Sequence, residues 1–238
     1  MITKCICLLL SLLGIISPLG ITESSSVPVW ARFGKSDGVY ARAETDENVI
    51  ALTFDDGPHP YLTDKILDIL DKYDAKATFF VVGKMAELYP QVLKRVALKE
   101  HEIGNHTYSH LAESNSNSGE IKQEIMKTED LIFKLTAKKT FLFRPPTGYC
   151  CENAVKMTSE LGYKTVVWDI DTRDWAHKSP EKIFSEVKKY ARSGSIILFH
   201  DFIGKDSPTP YALELVLPWL KSQGYEFVTV GQMLQMDS

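Results

Sequence analysis

The chain from Val49 onward alternates between short apolar segments and longer amphipathic ones. The short segments are rich in β-branched and aromatic residues and predict seven strands: VIALTF, ATFFVVG, EIGNH, FLFRP, TVVWDI, SIILFH and YEFVTV. The longer segments carry apolar residues at helical spacing and predict helices at residues 62–73, 85–99, 120–138, 153–161, 180–192 and 211–223. Strands that alternate with helices in this way predict a parallel α/β fold.

Length and composition favour a single domain for this region. The whole chain has 238 residues, of which 44% are hydrophobic, enough for one sizeable core. Its net charge of -4 and pI of about 5.9 argue against a nucleic-acid or anionic-membrane binder, because phosphate binding needs a surplus of Lys and Arg. We therefore expect one folded domain over residues 49–238.

The N-terminus differs in kind from the rest of the chain. Lys4 precedes an apolar run that is broken by Gly14 and Pro18, which predicts a secretory signal at residues 1–22. No clean small-x-small cleavage site follows, so an uncleaved membrane anchor is the alternative, and membrane contact is expected only through this segment. Residues 23–48 are polar and Ser-rich, as in a linker or N-terminal arm. We expect an exported protein, either secreted or associated with the cell envelope.

The cysteines do not predict a disulfide framework. Two of the four lie in the leader, and the other two are the neighbours Cys150 and Cys151. Adjacent cysteines form only a strained ring, outside ordinary disulfide geometry.

Titratable residues follow the ends of five predicted strands. They are Asp55 with Asp56, His106 with His110, Arg144, Asp171 with Asp174, and His200 with Asp201. Because the carboxyl ends of parallel strands meet at one edge of a sheet or barrel, we expect these side chains to lie close together. The acidic pair in ALTFDDGPHP is typical, by itself, of a solvated surface turn. Together with the titratable residues at the other strand ends, the pair forms a candidate active site.

The segment HTYSH suggests a metal site. In a helical turn, His106 and His110 would project from one face with about 5 to 6 Å between their Cβ atoms. Two histidines, one carboxylate and an open fourth position form a hydrolytic zinc site. One of Asp55 and Asp56 would be the ligand and the other a general base, with Arg144 keeping that base ionised. A structural site closed by four protein ligands is the alternative.

Five short motifs occur in order along the chain: TFDDGP, HTYSH, RPPTG, DTRDW and LFH. With them the chain resembles the polysaccharide deacetylases with a NodB homology domain, which form carbohydrate esterase family 4. The resemblance covers about residues 49–230 and implies a distorted (β/α)7 barrel, an irregular relative of the TIM barrel.

The resemblance also implies roles for the charged residues. Asp55 would be the general base, oriented by Arg144. Asp56, His106 and His110 would bind one divalent metal ion, usually zinc, with cobalt or another divalent ion as alternatives. Thr107 would shape the loop that carries the two histidines.

Further implied residues surround the reacting group. His200 would be the general acid, tuned by a carboxylate of DTRDW, for which Asp174 is the first candidate. The backbone N–H of Thr147 would stabilise the oxyanion. Trp175 and Leu198 would form the pocket for the acetyl methyl group.

One departure from the family pattern concerns the substrate. Thr147 occupies a position that is most often Tyr in the family, which leaves the shape of the sugar subsite open. Tyr149, Trp168 and Trp175 are candidates to stack on sugar rings. For Trp168 we favour core packing instead, because TVVWDI is typical of a buried strand.

The implied reaction is hydrolysis of the N-acetyl group of an N-acetylglucosamine-containing glycan, with release of acetate. Peptidoglycan, chitooligosaccharides and an exopolysaccharide are the candidate substrates, and we expect a monomer. Two alternatives remain: an O-deacetylase of acetylated xylan, and a glycan-binding relative without catalytic activity.

Overall fold

The computed structural model describes residues 33–112, 117–149, 151–204 and 206–237. Its strands are β1 (Val39–Tyr40), β2 (Val49–Asp55), β3 (Ala77–Val81), β4 (Glu102–Asn105), β5 (Leu142–Phe143), β6 (Lys164–Val166), β7 (Ile170–Asp171), β8 (Ser195–His200) and β9 (Glu226–Phe227). Its helices are α1 (Leu62–Lys72), α2 (Gly83–Leu88), α3 (Pro90–Leu98), α4 (Ser118–Thr136), α5 (Glu152–Glu160), α6 (Pro180–Tyr190), α7 (Thr209–Ser222) and α8 (Val230–Met233).

The strands form one curled parallel sheet in the order β1-β6-β5-β4-β3-β2-β8-β7, and β9 also pairs with β2. In the described part of the chain, no ladder joins the edge strands β1 and β7, so the barrel is open along one side. Helices cover the outer face of the sheet. The predicted distorted (β/α)7 barrel is confirmed.

The central strand β2 separates two cores because its side chains alternate between faces. Leu52 and Phe54 point outward into the cluster formed with the helices. Ala51 packs in the smaller cluster inside the barrel. Thr53 and Asp55 continue this inner row, so the polar end of a fully buried strand faces the mouth of the barrel.

Strand β8 repeats this arrangement beside β2. Ile197 and Phe199 pack outward, whereas Ile196 packs inside. Leu198 and His200 follow Ile196 on the inner face. In the β2–β8 ladder, His200 lies opposite Asp55. The two neighbouring strands therefore deliver an imidazole and a carboxylate to the same opening.

Folded backbone begins earlier than the predicted boundary at Val49. Strand β1 pairs in parallel with β6, and Val39 and Ala43 are buried. A strand of two residues is too short for an alternating pattern, so no pattern in the sequence predicts it. The predicted leader, residues 1–22, lies outside the described residues. Among the helices of the described residues, none has the length and apolar character needed to cross a membrane.

Three predicted elements differ from the observed ones in their boundaries. The helix predicted at residues 85–99 is two helices separated at Tyr89, because Pro90 starts a new one. The strand TVVWDI is two strands, β6 and β7, with Trp168 between them. The strand YEFVTV is only β9, since Thr229 caps the N-terminus of α8.

Candidate active site

A cleft of about 330 Å³ opens at the carboxyl ends of the strands. Most residues predicted to act in catalysis, metal binding or substrate binding line this cleft. The lining consists of Asp55, Asp56, His106, His110, Thr147, Trp168, Asp171, Trp175, Leu198 and His200. Residues from five separate segments of the sequence thus meet at one edge of the barrel, as their positions after the strands predict.

Arg144 holds the first aspartate in a fixed orientation. Its side chain is completely buried, and its Nη1 donates to Asp55 Oδ1 at 2.7 Å. The same Nη1 donates to Thr53 Oγ1, while Nε and Nη2 donate to the carbonyl oxygens of Val166 and Val167. A guanidinium with this many fixed acceptors cannot rotate, so one oxygen of Asp55 is fixed as well. Sequence reasoning missed Thr53, although its place two residues before Asp55 puts it on the same face.

Asp56, His106 and His110 form a cluster that fits a divalent metal ion. One ligand atom from each residue lies within 4.8 Å of the others. Asp56 Oδ1 lies 3.1 Å from His110 Nε2 and 3.5 Å from His106 Nε2. It is buried and has no hydrogen-bond partner. A buried acceptor without a partner beside two imidazole nitrogens is the donor set that zinc-like cations bind.

The tautomer of His106 supports this interpretation. His106 Nδ1 lies 2.7 Å from the carbonyl oxygen of Arg144. Because a carbonyl oxygen only accepts, Nδ1 carries the proton and Nε2 keeps its lone pair free toward Asp56. Metal-binding histidines are held by their other nitrogen in this way.

The segment from His106 to His110 is a loop, so the helical turn expected for it is wrong. Thr107 and His110 have φ values of 64° and 59°, in the left-handed region. The loop is fixed because the N–H of Thr107 donates to Asn105 Oδ1 and the N–H of Leu111 donates to Thr107 Oγ1. The two imidazole rings still meet, with 5.1 Å between their centroids.

The charges of this cluster favour a bound cation. Burial alone would raise the pKa of Asp56, but the imidazoles of His106 and His110 outweigh it and hold this pKa well below its usual range. The interaction with Asp56 in turn raises the pKa of His110. Asp56 is therefore an anion that attracts positive charge, which a metal ion can supply in place of protons.

His200 and Asp174 form the second polar pair of the cleft. His200 Nδ1 lies 2.8 Å from Asp174 Oδ1, and the backbone N–H of His200 donates to Asp174 Oδ2. Asp174 is fully buried and also accepts from the hydroxyl of Thr209. Burial would lower the pKa of His200, but the hydrogen bond and charge of Asp174 raise it to about 9. His200 is thus positively charged at neutral pH.

The apolar walls agree with the sequence in part. Trp175 is half exposed and Leu198 buried, and both line the cleft. Trp168 also lines it while it packs, partly buried, against two of the hydrophobic clusters, so the core packing favoured for this residue holds in part and its contact with a sugar stays a prediction. Tyr149 is half-buried and is absent from the lining, and its contact with a sugar stays a prediction. Thr147 lines the cleft in a strained turn with a φ of 66°.

A parallel barrel with a two-histidine, one-carboxylate cluster between a fixed carboxylate and a charged imidazole defines a metal-dependent hydrolase. Comparison with known proteins agrees: the family model "Polysaccharide deacetylase" matches residues 42–166. The chain belongs to the polysaccharide deacetylase family, carbohydrate esterase family 4, and the resemblance drawn from the five motifs is confirmed.

Three relatives illustrate the similarity. A peptidoglycan-N-acetylglucosamine deacetylase of Bacillus cereus is 44% identical over 192 residues, which cover 80% of this chain and 90% of the relative. The crystal structure of the Bc1960 peptidoglycan N-acetylglucosamine deacetylase has a TM-score of 0.82 at 37% identity, covering 86% of this chain and 95% of the other. A family 4 acetyl xylan esterase from Clostridium thermocellum, in complex with a cobalt ion, has a TM-score of 0.73 at 36% identity, covering 79% and 91%.

Proposed function

We propose that this protein is a divalent-metal-dependent deacetylase that removes the N-acetyl group from N-acetylglucosamine units of peptidoglycan. The observation that carries the proposal is that two adjacent aspartates have different partners. Asp55 is bound to Arg144, whereas Asp56 points at His106 and His110. The similarity to peptidoglycan-N-acetylglucosamine deacetylases supports the choice of glycan.

The residues of the cleft support acid–base hydrolysis of an amide. A divalent ion held by Asp56, His106 and His110 would polarise the scissile carbonyl and promote ionisation of water. Asp55, oriented by Arg144, takes the proton of the attacking water. The charged His200 donates its proton to the departing nitrogen.

Other groups of the cleft support the same reaction. We assign the backbone N–H of Thr147 to the oxyanion, and Trp175 and Leu198 to the acetyl methyl group. Two imidazoles and one carboxylate suit zinc, which we propose as the ion, with cobalt as the first alternative to test.

We also propose that the protein is exported and acts as a monomer in the cell envelope. The leader predicted at residues 1–22 supports export, as a cleaved signal or an anchor.

The substrate is tested by measuring acetate release from peptidoglycan, chitooligosaccharides and acetylated xylan with added zinc or cobalt. We expect the N-acetylated glycans to be hydrolysed, peptidoglycan most rapidly, and EDTA to abolish the reaction. A preference for acetylated xylan would favour the ester alternative. Absence of acetate from all three, with metal bound, would favour a non-catalytic relative.

The pH dependence tests the role of His200. Because its pKa is raised to about 9, the protonated form persists below that pH, and activity should fall as the pH rises through about 9. Asp174→Asn removes the charge that raises this pKa while burial still lowers it, so the basic limb of kcat/KM should move to lower pH. In the matched variant Asp171→Asn, His200 keeps its partner and the limb should stay near 9. An unshifted limb in Asp174→Asn would contradict His200 as the acid.

A further inference from the structure

Asp201 follows His200 directly and has no part in the reaction described above. Its side chain is only 2% exposed. The carboxylate accepts a hydrogen bond from the hydroxyl of Thr63 and lies directly against the backbone of Gly57. Burying a carboxylate costs free energy that its hydrogen-bond partners must offset. The groups around Asp201 therefore indicate which part of the structure it holds in place.

Both partners belong to the loop that carries the reactive aspartates. A Cβ atom on Gly57 would lie 2.1 Å from Asp201 Oδ2, which leaves no room for any side chain there. In the sequence, Gly57 follows the acidic pair of ALTFDDGPHP and is typical of a turn residue. The structure gives a more specific reason: the carboxylate of Asp201 occupies the space where a side chain would be.

The contacts of Asp201 reach both ends of this loop. The backbone N–H of Asp201 donates to the carbonyl oxygen of Asp55 at 3.1 Å. At the other end, Thr63 Oγ1 accepts from the N–H of His59 at 2.7 Å while its hydroxyl donates to Asp201. The segment from Asp55 to Thr63 is thus fastened to a single buried side chain and its backbone.

The residue between these contacts needs such support. Asp56 has a φ of 77°, in the left-handed region that a residue with a side chain rarely adopts. Strained backbone of this kind persists only where the surrounding structure fixes it. The next residue, Gly57, packs directly against the carboxylate of Asp201, so loss of that contact would let the backbone at Asp56 relax and turn its carboxylate away from His106 and His110.

We propose that Asp201 is a positioning residue that holds the carboxylate of Asp56 in the metal-binding orientation and, through the same loop, the carboxylate of Asp55. This inference rests on the proposed function, because it assigns Asp201 to the same metal site. It predicts that Asp201 acts on metal affinity and kcat and leaves KM for the glycan unchanged, since Asp201 is buried beneath the loop and out of reach of a sugar.

The test uses Asp201→Ala and Thr63→Val, which break the network from its two sides, and Asp201→Asn, which keeps one acceptor oxygen. Asp169→Ala is the matched control. Asp169 is a largely buried carboxylate, its side chain 10% exposed, that likewise accepts from a hydroxyl, of Ser195, and also from the backbone N–H of Ile196, and it is not among the residues that line the cleft. Calorimetric titration of each metal-free protein with zinc gives Kd, and acetate release gives kcat and KM.

We expect the zinc Kd of Asp201→Ala to rise about 10- to 100-fold, the range found when partners of metal ligands are removed. Thr63→Val should change Kd in the same direction, Asp201→Asn should lie between Asp201→Ala and the wild type, and Asp169→Ala should keep the wild-type Kd. Wild-type Kd and kcat in Asp201→Ala and Thr63→Val would overturn the inference, as would an equal rise in Asp169→Ala. If the wild type itself bound no zinc and released no acetate, the proposed function would fail first.

Discussion

Asp55→Asn should abolish turnover and leave metal binding intact. The substitution preserves the shape of the side chain and an oxygen for Arg144, but an amide cannot take a proton from water at neutral pH. Loss of a general base costs about 10²- to 10⁴-fold in rate. This range corresponds to about 3 to 5 kcal/mol in the activation barrier. The measurement is kcat for acetate release at saturating zinc, together with the zinc content of the purified protein.

Asp64→Asn is the control for this prediction. Asp64 is a partly exposed carboxylate on α1 that pairs with Arg95 outside the cleft, so its loss should leave kcat unchanged. If Asp55→Asn kept a tenth or more of the wild-type kcat, Asp55 could not be the base.

Asp56→Asn, in contrast to Asp55→Asn, should lose the bound metal. Its activity should fall as a consequence of that loss. The substitution replaces the anionic oxygen between His106 and His110 by a neutral amide, which is a poor ligand for zinc. We expect Kd for zinc to rise by more than the roughly 10- to 100-fold that accompanies loss of a residue supporting a metal ligand. Excess zinc should restore part of the turnover, because Asp55 and His200 are intact.

The fold should survive this substitution. The helices and strands pack in hydrophobic clusters that do not include the three ligands, so thermal unfolding of Asp56→Asn with EDTA should stay cooperative and close to that of the metal-free wild type. Unfolding of the wild type on addition of EDTA would instead indicate a structural metal site.

Much of the fold and the site could be predicted because both follow from a repeated local rule. A strand of alternating faces such as β2 carries its last inward residue, Asp55, to the barrel mouth, and β8 does the same for His200. Knowing where strands end was therefore enough to bring these side chains together. The motif resemblance then distinguished Asp55 from Asp56, which the sequence pattern alone left open.

The features of the site that the sequence does not predict depend on contacts between distant parts of the chain. Thr209 binds the carboxylate of Asp174 across 35 residues, and nothing near it in the sequence marks it as part of the site. The sequence places Trp168 in a buried strand, and the break between β6 and β7, set by pairing with different neighbours, β5 and β8, lets it line the cleft as well as pack against the core. Asp201 was visible as a strand-end carboxylate, but its role depends on its approach to Gly57, which only the structure gives.

The most direct test of the central claim compares Asp55→Asn and Asp56→Asn side by side for bound zinc and for acetate release from N-acetylglucosamine oligomers. If the two adjacent carboxylates have separate roles, Asp55→Asn holds about one zinc per chain with little turnover, and Asp56→Asn holds little zinc and regains activity only with excess metal. The same zinc content and the same residual activity in both variants would contradict the division of roles between them.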